Sequence, residues 1–570
     1  MHEYKLLICH FSKRLGRDSY MPTLLSLPPD VTVRQTSHQL DQREPSQSSR
    51  NCEVLVAPSR LAIGLALSTA LTMALSLMSG TPAFAEPPPN ESSNTSPQEP
   101  SQVDSKVLIK KTSEETSKKT NRETSETPRE SRFWFGSYGR VGLSVDENLG
   151  EGRGRQITPY AARLIEDNYL ELDVGYHAYR GRAGQVDVVT TIAAFDSLFH
   201  YNGDATSQLA LRRVYAEVSK LGGTPIWVSL GSRWLRGNDI YLMNFWPLDD
   251  LNTVGLTVGH RGARHDAWLH VGVSRLNQRS QTQFVDVPAA SNFGAESVLM
   301  LNRQRAIIAG LYERRYDIGA QTAHPRGWKW KLYSELHTLP SGEETLDDSF
   351  TDRRTLPDDL GMIAGFQLGL WGVGHAANHL NLWARYGRGL AIYDELGAPS
   401  GFNRDRRSWD AEELRLALAG NWALTRRGDV SLQWGGYIRS YRDADELEVD
   451  YDDRVEGSIA LRPQLNLGDY FTPAVEVSAQ WSQAQGAHPV DLTTDPGVIY
   501  QFAFIPAISF TERGQLNAFT RPQLRLIYAA TLLNDAALAR YAPADPRAQQ
   551  SVSHYLGARA EWWFGRGGGY

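Results

Sequence analysis

The chain has 570 residues, a hydrophobic content of 41% and a mean hydropathy of −0.41, which excludes a protein built from many membrane helices. The net charge of −6 gives no electrostatic basis for nucleic acid as a partner. Both cysteines, Cys9 and Cys52, lie far upstream of the patterned part of the chain, so disulfide bonds cannot hold that part together.

The one long apolar run, residues 61–78, follows Arg60 and leads to the small-residue sequence AFA at 83–85. A basic flank, an apolar centre and a small-x-small end predict a secretory signal peptide over residues 60–85. A transmembrane anchor of marginal length is the alternative. Residues 1–59 are far longer than the stretch that normally precedes such a run, and we interpret them as a mis-called start or an atypical extension.

Residues 86–131 consist mainly of Ser, Thr, Glu, Lys and Pro, with almost no aromatic residues. Such a composition cannot bury enough apolar surface to fold alone, so we predict a disordered segment. It would be periplasmic if the rest of the chain forms an outer-membrane protein. The apolar cluster at residues 107–109 leaves a short trimerising helix as an alternative to a solvated tether.

Across residues 133–564, apolar and polar side chains alternate with period two in about eighteen segments of roughly 9–14 residues. Tight turns such as 221–223 alternate with long polar stretches such as 277–304. This arrangement is typical of an outer-membrane barrel, whereas a secreted sandwich rarely needs so many strands in one series. The pattern predicts an all-β, antiparallel transmembrane β-barrel over residues 132–564 with long extracellular loops, followed by a C-terminal tail at 565–570.

The closing strand, residues 555–564, divides into two faces. Arg559, Glu561 and Trp563 point one way, and the other face carries Ala558, Ala560, Trp562 and Phe564. In a membrane barrel the charged face lines the lumen and the apolar face meets lipid.

Alternation is not clean everywhere. In residues 208–220, strict period two puts Arg212 and Arg213 on opposite faces. We therefore expect one of these arginines to lie near a rim or under a neighbouring subunit.

The positively charged residues of the predicted barrel are mostly arginines, because only three lysines, Lys220, Lys329 and Lys331, occur between residues 132 and 570. The planar guanidinium group offers a rigid set of donors and can grip sugar hydroxyls together with carboxylates. Aromatic rings in the lumen would stack on the apolar faces of sugar rings. The alternative is that arginine only charges the lumen and the aromatic residues form girdles at the membrane interfaces.

Several segments carry a resemblance to a known family. FGSYGRVG at residues 135–142 resembles the opening strand of the maltoporin family of outer-membrane sugar porins, and RLIEDNYLEL at 163–172 is similar to the second strand. Residues 224–246 resemble the strand that leads into the constriction loop of that family. TRP at 520–522 and EWWF at 561–564 complete the match, in the order in which the family has them.

The resemblance implies an 18-stranded barrel with an inward-folded constriction loop, assembled as a homotrimer in outer-membrane lipid. It also implies passive, guided diffusion of an oligosaccharide substrate, most readily of the maltodextrin type. In this family an aromatic slide runs along the channel beside a polar track. By motif position the slide residues here are Tyr138, Tyr169, Trp246, Phe519 and Trp563, with Trp246 where the family narrows the pore. The polar-track residues by the same comparison are Arg140, Arg163, Glu171, Arg212 and Asp249.

The sequence departs from the family around the narrowest part. The family lends a loop tryptophan from the neighbouring subunit, but residues 201–204 contain none. The arginine of the constriction loop aligns with Gly237, next to Arg236, and an aspartate aligns with Asn244. A mid-barrel phenylalanine has only His379 nearby, by a loose alignment. The sugar-porin class is therefore a firmer expectation than maltodextrin itself.

No enzymatic motif accompanies the barrel pattern. Histidines such as His337 and His379 lack a neighbouring serine motif, and no HExxH metal-binding pattern occurs. We therefore predict no catalytic activity, no cofactor and no metal. A structural barrel or adhesin, a non-specific porin, and a porin for another carbohydrate remain as alternatives.

Overall fold

The computed structural model describes residues 132–565 apart from 196–207, 277, 279, 289–293, 320–325, 347–351, 394–395, 446–449, 489–491 and 511–515. The predictions for residues 1–59, 60–85 and 86–131, and for the tail beyond residue 565, lie outside the described residues.

The described chain is almost entirely β-strand. The strands are β1 (Phe133–Asp146), β2 (Tyr169–Gly181), β3 (Gly184–Phe195), β4 (Gln208–Ser219), β5 (Ile226–Arg236), β6 (Asp250–Arg261), β7 (His265–Ser274), β8 (Thr282–Pro288), β9 (Ala295–Asn302), β10 (Arg305–Asp317), β11 (Gly327–Leu339), β12 (Gly342–Thr345), β13 (Arg353–Leu356), β14 (Asp359–Trp371), β15 (His379–Gly389), β16 (Glu412–Ala423), β17 (Val430–Arg442), β18 (Arg454–Leu465), β19 (Ala474–Ala484), β20 (Gly497–Ile505), β21 (Ala507–Ser509), β22 (Gln523–Leu533) and β23 (Val552–Phe564). Short helical turns cover Leu221–Gly223, Tyr241–Met243, Asp535–Leu538 and Pro546–Gln549. Among the described residues, none of these helical segments has the length and apolar character needed to cross a bilayer.

The main sheet closes on itself. Sequential strands pair antiparallel, and β1 pairs with both β2 and β23. Strands β20 and β21 both pair with β22 and form one barrel strand that is interrupted at Pro506, which has no N–H to donate. The barrel therefore has 18 strands, and the predicted fold is confirmed. Closure removes the sheet edges, as a bilayer requires of a β-protein.

The connections alternate in length as predicted. Two residues join β2 to β3, and six residues join β4 to β5. The opposite end of the barrel carries the long loops, which we call the long-loop end. Two of the predicted polar loops contain small hairpins, β8–β9 and β12–β13, because their polar sequences also hold short extended segments that pair locally.

The two faces of the closing strand are arranged as the alternation predicts. Leu556 and Phe564 are exposed on the outer surface, whereas Arg559 and Glu561 are buried on the lumen side. Outward-facing aromatic residues also stack near the short-turn end, where the ring centroids of Tyr316 and Trp328 lie 4.3 Å apart. An apolar outer band with aromatic residues near its edge is the surface that lipid contacts.

Strand β4 corrects one expectation. Thr191 of β3 pairs with Arg213 but Ile192 pairs with Leu211, so Arg212 forms a β-bulge without a partner on β3. The extra residue shifts the alternation by one, and both arginines face the lumen. Leu209 and Leu211 before the bulge are 72% and 67% exposed on the outer face, and Val214 takes that face after it. The expectation that one arginine lies at a rim or under a neighbouring subunit was therefore wrong.

A constriction loop, residues 237–249, folds into the barrel, as the family resemblance implied. Its buried side chains form one apolar cluster with the inner wall: Ile240, Leu242, Met243, Phe245 and Leu248 pack with wall residues that include Trp383 and Tyr437. The loop between β1 and β2 also turns inward, and the ring of Tyr160 stacks on Phe245 with centroids 3.7 Å apart. Packing of their apolar side chains therefore holds both loops inside the barrel.

Candidate functional site

Aromatic side chains from the barrel wall begin a continuous row along the lumen. Tyr169 at the start of β2 and Tyr138 of β1 have ring centroids 5.9 Å apart. Tyr138 in turn lies directly opposite Trp563 of β23 in the strand register. Three predicted slide residues are thus brought together by the pairing of the first two strands with the last strand.

The constriction loop adds the next ring to this row. Tyr241 meets Trp563 edge-on at 6.3 Å and Phe519 edge-on at 5.4 Å between ring centroids. Phe519 then lies 6.0 Å from the imidazole of His379, which begins β15 at the short-turn end. We call these six residues the aromatic row: Tyr169, Tyr138, Trp563, Tyr241, Phe519 and His379.

Arg163 contacts both the aromatic row and the carboxylates beside it. Its guanidinium donates to the Tyr138 hydroxyl at 2.7 Å and pairs with Glu166 at 3.1 Å and Glu561 at 3.3 Å. The same guanidinium lies 5.1 Å from the ring centroid of Tyr241, which is within cation–π range. One arginine therefore positions two rings and two carboxylates.

Glu561 is the centre of these ion pairs, and its side chain is 0% exposed. It forms ion pairs with Arg521 and Arg525 at 3.0 Å each, in addition to Arg163. Arg521 lies 4.5 Å from the ring centroid of Trp563 and donates to the hydroxyl of Tyr241. Charge-assisted hydrogen bonds to several partners fix the position of Arg521, and Arg521 in turn holds the rings of Trp563 and Tyr241.

The remaining polar-track residues surround Tyr169. Its hydroxyl hydrogen-bonds to Glu171, whose carboxylate lies 3.5 Å from the guanidinium of Arg212. Arg140 lies 5.1 Å from the Tyr169 ring centroid and 3.6 Å from Glu166. The side chains of Arg140 and Arg212 are 14% and 28% exposed, so they are the polar groups most open to the lumen here.

Trp246 is not part of the aromatic row. It is 6% exposed, and the guanidinium of Arg236 covers it at 3.8 Å from the ring centroid. Arg236 also lies over Trp234 of β5, which in turn contacts Arg212 at 3.9 Å. Trp246 therefore lies beneath Arg236 and not in the aromatic row.

Asp249 is also separate from the row. It is buried and lies 3.3 Å from the ammonium group of Lys331. A Cβ atom at Gly237 would lie 2.2 Å from an Asp249 oxygen and 2.5 Å from the Lys331 nitrogen. A side chain at residue 237 would displace the ends of these two side chains, so the glycine lets the Asp249–Lys331 pair lie directly against the backbone.

Sequence reasoning missed Tyr241, Trp234 and the Arg521–Arg525 pair as contributors to the site. Tyr241 lies in a short helical turn, where alternation gives no information on side-chain direction. Arg521 lies in a matched motif, TRP at residues 520–522, and only its spatial neighbours reveal its role. His379 is the opposite case, because the loose alignment did point to the position that completes the row.

Comparison with solved structures finds other barrels at low similarity. OccAB4 of Acinetobacter baumannii has 9% identity over 77% of this chain and 99% of its own, with a TM-score of 0.36. OccK1 (OpdK) of Pseudomonas aeruginosa has 10% identity over 76% and 98%, with a TM-score of 0.34. OmpT of Vibrio cholerae, an outer-membrane protein, has 10% identity over 77% and 100%, with a TM-score of 0.34.

No curated protein sequence matches the chain. The family model for LamB porin, in contrast, matches residues 133–564, which span every barrel strand described above. The chain therefore belongs to the LamB porin family and is a β-barrel channel of the outer membrane.

Proposed function

We propose that this porin conducts sugars by passive, guided diffusion, with maltodextrin-type oligosaccharides as the leading substrate class. The observation that carries the proposal is the aromatic row. Four of its five adjacent pairs have ring centroids 5.4–6.3 Å apart, and the fifth, Tyr138 and Trp563, is opposed in the strand register. A channel that selected only by size or charge would not need a line of rings beside paired arginines and carboxylates.

The row suits a chain of sugar rings because each aromatic face can stack on an apolar sugar face. A sugar unit that leaves one ring finds the next within about one ring length, so its apolar face need not return fully to water. Weak binding at many sites lets the substrate enter and leave again, which is the requirement for conduction.

The charged groups beside the row suit hydroxyl groups. Arginine supplies donors and the carboxylates of Glu166 and Glu171 supply acceptors, so both roles of a hydroxyl can be met. Arg140 and Arg212 are the groups we expect to contact substrate, whereas Glu561 acts from beneath by holding Arg163 and Arg521.

We further propose that the working unit is a homotrimer in outer-membrane lipid, exported by the signal peptide at residues 60–85, with residues 86–131 as a periplasmic segment. LamB porin membership and the barrel fold indicate a channel rather than an enzyme. Resident cofactors form no part of the proposed transport mechanism.

The test is conductance in planar bilayers, with the ion current titrated by malto-oligosaccharides of increasing length and by sucrose. We expect concentration-dependent block that strengthens with the number of sugar units, because longer chains occupy more of the row. If a different sugar blocks the current and malto-oligosaccharides do not, the substrate class is that other sugar. An ion current that no sugar reduces would contradict the proposal and favour a non-specific porin.

A further inference from the structure

The loop between β17 and β18, at the long-loop end, gathers several aspartates. Carboxylate oxygens of Asp443, Asp445 and Asp450 all lie within 4.8 Å of one another. The loop joins β17 to β18 at the long-loop end, and none of the six residues of the aromatic row lies in this loop or on either of its two strands. Its acidic character therefore has no part in the sugar path described above.

A fourth aspartate is buried against this cluster. The side chain of Asp453 is 1% exposed, and its Oδ1 accepts from the amide of Asp443 at 2.9 Å. The amide of Asp453 donates to the Asp450 carboxylate at 2.9 Å. The first bond places the Asp453 carboxylate against the backbone of Asp443, beside the cluster, and its second oxygen, Oδ2, is buried without a hydrogen-bond partner.

Within the described ranges, no Arg, Lys or His nitrogen lies within ion-pairing distance of Asp443, Asp450 or Asp453. Asp443 is only 4% exposed. Buried carboxylates without a counter-charge are strongly unfavourable, so this arrangement needs a positive partner.

The chemistry of the ligand set points to a hard divalent cation. Only carboxylate oxygens converge here, and oxygen donors select Ca²⁺ or Mg²⁺ over metals that prefer nitrogen or sulfur. Ca²⁺ accepts six to eight oxygens in irregular geometry, whereas Mg²⁺ demands a near-octahedral shell. A cluster of separate loop aspartates therefore fits Ca²⁺ better.

We propose that Asp443, Asp445, Asp450 and Asp453 form a Ca²⁺-binding site at the long-loop end of the barrel. The site would connect three loops. The Asp443 carboxylate packs on Gly401 of the β15–β16 loop so closely that a Cβ there would lie 2.2 Å from it. From the β19–β20 loop, the amides of Gln485 and Gly486 donate to the carbonyls of Asp453 and Asp450 at 2.7 and 2.5 Å.

The cation would therefore stabilise the loops around the outer mouth of the channel and would not contact the sugar path. All four carboxylates belong to the β17–β18 loop, so neutralising them removes a repulsion within that loop and favours the conformation in which it contacts the other two loops. We expect hydrogen exchange in the described parts of residues 396–411, 443–453 and 485–496 to slow when Ca²⁺ is added.

The test uses the full chain refolded in detergent without lipopolysaccharide, because that lipid itself binds divalent cations. After treatment with a chelator, Ca²⁺ binding is measured by calorimetry and loop protection by hydrogen exchange. We expect half-saturation at about 0.1–1 mM, the range of extracellular sites, and at least roughly tenfold weaker binding of Mg²⁺.

The variants are Asp450→Asn and Asp453→Asn, with Asp452→Asn as the matched control. Asp452 lies in the same loop but is exposed and outside the carboxylate cluster. We expect each cluster variant to abolish binding and the loop protection, and the control to keep both. Absence of Ca²⁺ binding by the unsubstituted protein, or equal binding by the cluster variants and the control, would overturn the proposal.

Discussion

The ring of Tyr241 stands edge-on to the ring of Phe519, with centroids 5.4 Å apart and an interplanar angle of 73°. This contact joins the constriction loop to the turn that precedes β22, at the aromatic row. Apolar packing against the inner wall holds the constriction loop, and so does the hydrogen bond that Arg521 donates to the Tyr241 hydroxyl. The position of the constriction loop at the aromatic row is therefore fixed by its packing on the wall and by its contacts with the turn before β22.

Removing the ring of Tyr241 should widen the channel and weaken sugar binding. For Tyr241→Ala we expect a higher ion conductance and an oligosaccharide block weakened roughly 5- to 30-fold, which corresponds to about 1–2 kcal/mol of lost stacking. Tyr241→Phe keeps the ring but loses the bond with Arg521, so its block should lie much closer to that of the unsubstituted channel. Equal block in all three channels would remove Tyr241 from the path.

Trp562 and Trp563 offer a matched pair, because adjacent residues of β23 face opposite sides of the barrel. We expect Trp563→Leu to weaken oligosaccharide block by about tenfold, since one stacking surface of the row is lost. Trp562→Leu, on the lipid side, should leave block unchanged. Phe519→Ala should behave as Trp563→Leu does, and bilayer recordings with sugar titration measure all three. If the two tryptophan variants gave the same block, the lumen role of Trp563 would be excluded.

Glu561→Gln should change both charge selectivity and stability. The substitution leaves Arg163, Arg521 and Arg525 without their shared carboxylate, and breaking a buried ion pair costs about 3–5 kcal/mol. We expect a lower free energy of unfolding and a reversal potential shifted towards anion selectivity under a salt gradient. The control is Glu343→Gln in the exposed part of the β12–β13 hairpin, which should alter neither quantity. An unshifted reversal potential in Glu561→Gln would contradict the expectation.

We expect the contact between the β1–β2 loop and the β22–β23 loop, at the long-loop end, to weaken in acid. Arg547 donates to the Asp545 carboxylate at 2.6 Å and holds the pKa of Asp545 at about 2, below the ordinary value of about 3.9. Arg155 of the β1–β2 loop donates to the carbonyl of Arg547 at 2.9 Å. A lowered pKa stabilises the folded loop above about pH 4, and this contribution is lost as the pH falls towards 2.

Hydrogen exchange measured in described residues 147–168 and 534–551 between pH 5 and pH 2 tests this linkage. After correction for intrinsic exchange rates, we expect protection to fall below about pH 4 in the unsubstituted protein. Asp545→Asn should show the weaker protection at every pH, without that transition. A transition of the same size in the variant would assign the pH dependence to other groups.

The faces of the closing strand illustrate what a sequence pattern can predict. Period-two alternation placed Arg559, Glu561 and Trp563 in the lumen, and the strand has that arrangement. This works because a regular strand repeats its geometry at every residue, so direction follows from parity alone. The β-bulge at Arg212 shows the limit, since one extra residue reverses parity and no local residue type announces it.

The chain by itself determined the barrel class, the number and order of its strands, and the short and long connections, because these depend on local alternation and turn residues. Only the tertiary structure decided that Tyr241 completes the aromatic row, that Arg236 covers Trp246, and that Asp249 pairs with Lys331. The physical reason is that loop side chains are positioned by packing against strands distant in sequence, and such contacts leave no period in the chain.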